Sequence, residues 1–208
     1  VDLDLFRPGT GDRSAFGIPD EAIVFLFVGW FLPRKGIDFL LCALHLLREK
    51  RAFGGRPLRL LIVGSGPGKD RVQAIVDRLC LGDSCIFVGS RPYNAMPAIY
   101  RAADIFVFPS VPTSQWQEQF GMAMLEAMAC GLPIVASSSG AIPEIAGDSA
   151  VLCQPADVLS LYDILNRLVP DMEWRDRLGR SARYRAERYF DMRHAAASLS
   201  EIYARLIG

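Results

Sequence analysis

The stretch E-Q-F-G-M-A-M-L-E-A-M-A-C-G-L-P-I-V-A, residues 118–136, sets a carboxylate before a Phe-Gly turn, enters an apolar helix and hands the chain to a short buried strand. Gly121 permits a tight backbone turn, and Met122 to Ala129 are good helix formers, so the first free N–H groups fall around Phe120 to Ala123. Such an N-terminus favours an anionic ligand. Glu118 stands in the loop that opens onto any ligand there, and Glu126 stands in the second turn of the helix. A carboxylate accepts two hydrogen bonds from a vicinal diol, so both are candidate readers of sugar or ribose hydroxyls. The residues alone leave an even alternative, in which Glu118 is merely favoured by the helix dipole and Glu126 is a solvated helix residue.

Outward from this stretch, short runs rich in Val, Ile and Phe alternate with longer amphipathic segments, as in βαβ units with a parallel sheet. Strands are expected near Ile23–Val28, Leu58–Val63, Ile86–Val88, Ile105–Phe108, Pro133–Ala136 and Ala150–Leu152. Helices are expected to begin near Gly36, Gly68, Pro97, Gly121 and Ala141, with further ones from Val158, Glu173 and Met192, the last running to Gly208. The fold class is α/β: a doubly wound, mainly parallel six-stranded sheet with helices on both faces. Ligands bind such sheets at the carboxyl ends of the strands, which singles out four loops.

After the first strand comes G-W-F-L-P-R-K-G, where Gly29 permits close backbone approach and Arg34 and Lys35 bring two positive charges to a helix start. A guanidinium fork beside an ammonium suits a diphosphate, and a solvated pair on a turn is the plainer reading. After the second strand, Gly64-Ser65-Gly66-Pro67 forms either an anion nest or a tight turn. It is not the G-x-G-x-x-G dinucleotide fingerprint, because Lys69 occupies the last glycine's place. After the third strand, Gly89-Ser90-Arg91-Pro92 turns sharply, either to offer backbone groups to a base edge or, equally well, from loop geometry alone. The long polar loop after the fourth strand carries Trp116, either a stacking or covering residue or a loop anchor. The Arg- and Leu-rich helices from Asp157 onward read as ordinary solvated faces.

Bulk properties exclude several classes. The 208 residues are 51% hydrophobic, with 23 Lys+Arg against 23 Asp+Glu, enough for one sizeable core and without a global basic field for nucleic acid. No apolar run is long enough to cross a bilayer, and the first residues lack a signal-peptide pattern, so a soluble domain is expected. Cys42, Cys80, Cys85, Cys130 and Cys153 are scattered without a C-x-x-C pair, which reads as reduced, mostly buried thiols of a cytoplasmic protein. Only His45 and His194 are available to a metal site or a Ser-His-Asp triad, and no metal is expected.

The order of motifs resembles the C-terminal, donor-binding half of family 4 (group 1) retaining glycosyltransferases of GT-B fold. The likeness runs from V-D-L-D-L-F-R-P at Val1, similar to the segment after the interdomain linker, through R-K-G, G-S-G-P and A-A-D-I-F-V-F-P-S. It continues through the E-x7-E element and G-A-I-P-E-I to F-D-M-R-H and a final I-Y-A-R-L. The E-x7-E element with A-M-A-x-G-x-P-x-V is its most specific part.

The resemblance implies a Rossmann-like domain over residues 1–208 that binds a UDP- or GDP-linked sugar, with no obligatory cofactor. The acceptor-binding N-terminal half of the same enzyme, expected to be absent from this chain, would bring an acceptor glycan or lipid. By resemblance, Arg34 and Lys35 neutralise the diphosphate, and Glu118 holds donor-sugar hydroxyls near the reacting carbon. Gly29 and the N–H groups around Phe120, Gly121 and Met122 meet sugar and phosphates, Glu126 binds the ribose, and the Arg91 backbone contacts the base. The leaving phosphate accepts the acceptor's proton, so no catalytic histidine is required. The isolated half is expected to bind donor and to transfer poorly, its closing helix leaving apolar surface exposed. The full enzyme would be cytoplasmic, peripheral at the inner membrane face, and active in cell-surface glycan synthesis. One departure stands out: many members read G-R-x-x-x-x-K-G, and here Trp30 occupies the arginine's place, leaving Arg34 to take over the phosphate contact. The rival readings are another GT-B enzyme, such as a nucleotide-sugar epimerase, and a non-catalytic nucleotide-sugar-binding module.

Overall fold

A computed structural model describes residues 1–50 and 55–207, so Gly208, where the sequence reading ends the last helix, lies outside the described residues. The elements are β1 (Ile23–Val28), α1 (Ile37–Glu49), β2 (Leu58–Val63), α2 (Lys69–Arg78), β3 (Cys85–Gly89), α3 (Met96–Ala102) and β4 (Ile105–Phe108). They continue with α4 (Met122–Ala129), β5 (Ile134–Ser137), α5 (Ile142–Ala146), β6 (Ala150–Cys153), α6 (Val158–Leu168), α7 (Met172–Tyr189) and α8 (Met192–Ile207). All six expected strands are present. β3 exceeds its expected span at both ends, because pairing with β2 runs from Leu60 opposite Cys85 to Val63 opposite Gly89. β5 starts one residue late, since Pro133 has no N–H for the ladder and only its carbonyl takes part, accepting from the Phe106 N–H at 3.0 Å.

The sheet is parallel throughout, in the order β3-β2-β1-β4-β5-β6. Chain direction across the sheet reverses between β1 and β4, so the loops leaving these two strands diverge around a crevice. Alternate strand side chains feed two cores. Ile23, Phe25 and Phe27 pack with α1, α2 and α6, whereas Val24 and Leu26 pack with α3, α4 and α5. α1 buries Ile37, Leu40, Leu41, Leu44 and Leu47, the spacing of a single helical face.

α7 corrects the reading of the C-terminal charges as solvated. Its Arg175 donates to the carbonyls of Leu168 (3.0 Å) and Val169 at the end of α6, and Arg183 to Ala129 (2.6 Å) at the end of α4 and to Phe6 (2.8 Å). Arg185 donates to Ile145 and Glu144 of α5, each at 2.7 Å. One helix thus satisfies the orphan C-terminal carbonyls of three others. The thiols also differ from expectation: all five are free, but only Cys130 and Cys153 are buried, and Cys80 is exposed.

Candidate functional site

The loop after β1 makes a 3-10 turn over Pro33–Lys35, which lifts Arg34 and Lys35 over the carboxyl end of the sheet. The turn closes on Gly36 at φ 70°, where a side chain would collide with the Pro109 carbonyl, so this glycine lets the β1 and β4 loops touch. The two loops are tied directly, the Val111 N–H donating to the Arg34 carbonyl at 2.8 Å.

Glu118 arrives from the β4 loop. Its backbone carbonyl accepts from the Ala141 N–H at 2.8 Å, and Gly140, at φ 54°, leaves room there that a Cβ would fill. Its carboxylate is buried and Oε2 accepts from Lys35 Nζ at 2.7 Å and from Ser110 Oγ at 3.1 Å. Ser137, at the end of β5, donates in turn to the Ser110 carbonyl. Glu118 is therefore held at backbone and side chain by the segments that follow β1, β4 and β5, the kind of support that fixes a functional carboxylate. Ser110 and Ser137 were not singled out by the sequence; Ser110 stands two residues past β4 and Ser137 ends β5, the place the open-sheet rule marks for ligand contacts.

Arg34, Lys35 and Glu118 line one cavity of about 530 Å³ with Trp30, Leu32 and Trp116. The guanidinium of Arg34 lies 4.6 Å and Lys35 Nζ 4.8 Å from the Trp116 ring centroid, and Nζ is 5.5 Å from the Phe108 ring. Arg34 Nε is buried and has no hydrogen-bond partner among the described residues, leaving a donor for an incoming acceptor. Trp30, 63% exposed, stands at the cavity rim. Gly29 sits beside Lys35, and its N–H donates to the Val63 carbonyl at 3.0 Å.

The other expected residues do not line this cavity. Gly121 caps the start of α4 at φ 73°, with Phe120 and Met122 half exposed on either side. Arg91 is exposed beyond β3, where Ser90 Oγ donates to Ser65 Oγ at 2.9 Å and joins the β2 and β3 loops. The Gly64–Pro67 loop embraces the backbone of Phe31, whose N–H donates to the Ser65 carbonyl at 2.8 Å. Glu126 is buried in a separate niche, where Oε2 accepts from the Tyr100 hydroxyl at 2.7 Å. Burial raises its pKa above the ordinary value, with the Tyr100 hydrogen bond opposing the shift. Burial, together with the Glu126 charge, holds the Tyr100 hydroxyl protonated well above its ordinary range. Tyr100 escaped the sequence reading because it sits among alanines in a helix that reads as plain core.

A larger cleft, of about 570 Å³, opens at the opposite edge of the sheet between α7 and the residues that precede β4 and β5. Its arginines include Arg175 and Arg183, whose guanidinium groups are engaged by backbone carbonyls, and it lies away from the carboxyl edge at which open sheets of this kind bind ligands.

The family model "Glycosyl transferases group 1" matches residues 10–185. D-inositol 3-phosphate glycosyltransferase of Salinispora arenicola is 33% identical over 222 residues, which cover 100% of this chain and 48% of the relative. Among solved structures, sucrose-phosphate synthase from Thermosynechococcus elongatus superposes with a TM-score of 0.86 at 30% identity, covering 100% of this chain and 51% of that one. Anabaena HepE, solved with UDP, superposes at 0.85 and 23% identity, covering 99% and 56%, a likeness of fold. The chain spans about half the length of the curated relatives it matches.

Proposed function

The chain belongs to the group 1 glycosyl transferases, and from that premise we propose that it is the donor-binding domain of a retaining enzyme that uses a nucleotide diphosphate sugar. The observation that carries this reading is the meeting of Arg34, Lys35 and Glu118 in one cavity between the loops of β1 and β4. Two cations face the diphosphate, with the unpartnered Arg34 Nε available to a phosphate oxygen. Glu118 accepts sugar hydroxyls in exchange for part of its bond to Lys35, Glu126 takes the ribose, and the start of α4 favours the ligand's negative charge. The UDP bound by the structurally similar Anabaena protein supports a nucleotide ligand for this fold.

In the reaction, the bond from the anomeric carbon to the phosphate oxygen breaks and a bond to the acceptor oxygen forms on the same face. The acceptor's proton passes to the leaving phosphate. Lys35 and Arg34 act where charge develops, and replacing either costs on the order of a hundredfold in turnover of the whole enzyme. The acceptor, a cell-surface glycan or lipid, comes with an N-terminal half that covers the exposed apolar residues of α8. We place the whole enzyme in the cytoplasm at the inner membrane face; the five free thiols fit a reducing compartment. Among the described residues no helix is long and apolar enough to cross a membrane.

A second reading, a non-catalytic nucleotide-sugar-binding module, is favoured by Trp30, which stands at the rim in place of the arginine of the family's G-R-x-x-x-x-K-G pattern. An epimerase is disfavoured, since neither histidine lines the cavity. The test is thermal. UDP or GDP at about a hundred times Kd should raise the melting temperature by roughly 5–10 °C, and Lys35→Ala should remove most of that rise. No rise with any nucleotide would refute the donor reading. Transfer by the chain joined to an N-terminal half separates enzyme from module.

A further inference from the structure

Arg34 and Lys35 are adjacent in sequence, carry the same charge and enter the same cavity. Such neighbours repel each other, and whereas Glu118 already holds Lys35 at 2.7 Å, Arg34, whose Nε has no partner among the described residues, would spread over many rotamers unless something holds it. A second carboxylate would hold them but cancel the charge that a diphosphate needs. An aromatic face attracts cations without neutralising them.

Trp116 offers such a face to both, at 4.6 Å from the Arg34 guanidinium and 4.8 Å from Lys35 Nζ. The backbone that carries the indole is itself tied down. The Thr113 N–H donates to the Trp116 carbonyl at 2.8 Å in a short paired turn, and the same loop is tied to the Arg34 carbonyl through the Val111 N–H at 2.8 Å. The ring that the sequence offered as a stacking surface thus lies within cation–π range of both charges.

We propose that Trp116 is a positioning residue for diphosphate recognition: its indole holds Arg34 and Lys35 together over the cavity, so that both charges meet the diphosphate without first being ordered. The inference rests on the donor reading and goes beyond it by assigning the selectivity for a diphosphate over a monophosphate to a residue that touches neither phosphate. Pre-ordering of this kind raises affinity by removing a cost of binding.

The test compares UDP with UMP, and GDP with GMP, by titration calorimetry of the wild type, Trp116→Phe and Trp116→Leu. Leucine keeps an apolar side chain in the loop but has no π face, and phenylalanine keeps a weaker one. The diphosphate-over-monophosphate preference should fall about tenfold in W116L and about threefold or less in W116F, with monophosphate affinity unchanged. An unchanged preference in W116L overturns the proposal. So does an equal loss for monophosphate and diphosphate, which is what a merely collapsed loop would produce. Failure of the wild type to bind any nucleotide would instead refute the donor reading, and this inference with it.

Discussion

Glu126 shows how burial sets a residue's response to pH. Its carboxyl is buried and its pKa is raised above 4.5, so the folded state resists its ionisation and loses stability as pH rises from that value through the raised one. Glu126→Gln removes the ionisation while keeping an acceptor for Tyr100. The variant should therefore melt above wild type at pH 7, match it near pH 4, and bind nucleotide more weakly. Tyr100→Phe removes the hydrogen bond to the charged form and should cost about 2 kcal/mol at neutral pH in urea unfolding, with a smaller cost near pH 4. The thiols separate in the same way. Burial pushes Cys85 and Cys130 up to about 12 and Cys153 to about 11, whereas Cys80 is exposed. A thiol reagent at pH 8 should label Cys80 first and reach those three only on unfolding.

At the scale of elements, α7 fastens the C-terminal ends of α4, α5 and α6 through arginines, and its charges are unequal in consequence. Arg183→Ala abandons the carbonyls of Phe6 and Ala129 and should destabilise by about 2 kcal/mol. Arg177→Ala loses only an exposed pair at 4.0 Å with Glu173 and should cost less than about 0.5 kcal/mol; denaturant unfolding of both checks the contrast. Helical spacing made these residues legible as helix, but it shows nothing of which neighbour's carbonyls lie within reach. The six strands and the helix starts were legible because β-branched runs and glycine stops repeat through the chain. Lys35 and Glu118 were legible as loop residues at strand ends. Their direct ion pair and the indole beneath Arg34 and Lys35 depend on the close approach of two distant loops, which local sequence does not encode. Glu126 stayed open between ribose reader and solvated residue because α4 is buried nearly all round, so it has no clear polar face to read.

At the scale of the molecule, the 3-2-1-4-5-6 strand order puts the crevice between β1 and β4, and the cavity of Lys35 and Glu118 lies there. The chain covers half of its relatives, and α8 leaves Leu199, Ile202, Tyr203 and Leu206 between 51% and 76% exposed. If that face receives the other half, Leu199→Ser with Ile202→Ser should change the stability of this chain by about 0.5 kcal/mol or less yet lower transfer by the joined protein. The central claim, that the cavity is a donor site, is tested most directly by titration calorimetry of this chain with UDP, GDP, ADP, UDP-glucose and GDP-mannose, repeated for Glu126→Ala and Lys35→Ala. The account predicts binding selective for one base and weakened by both substitutions. Failure to bind any of the five, or binding indifferent to both substitutions, would contradict it.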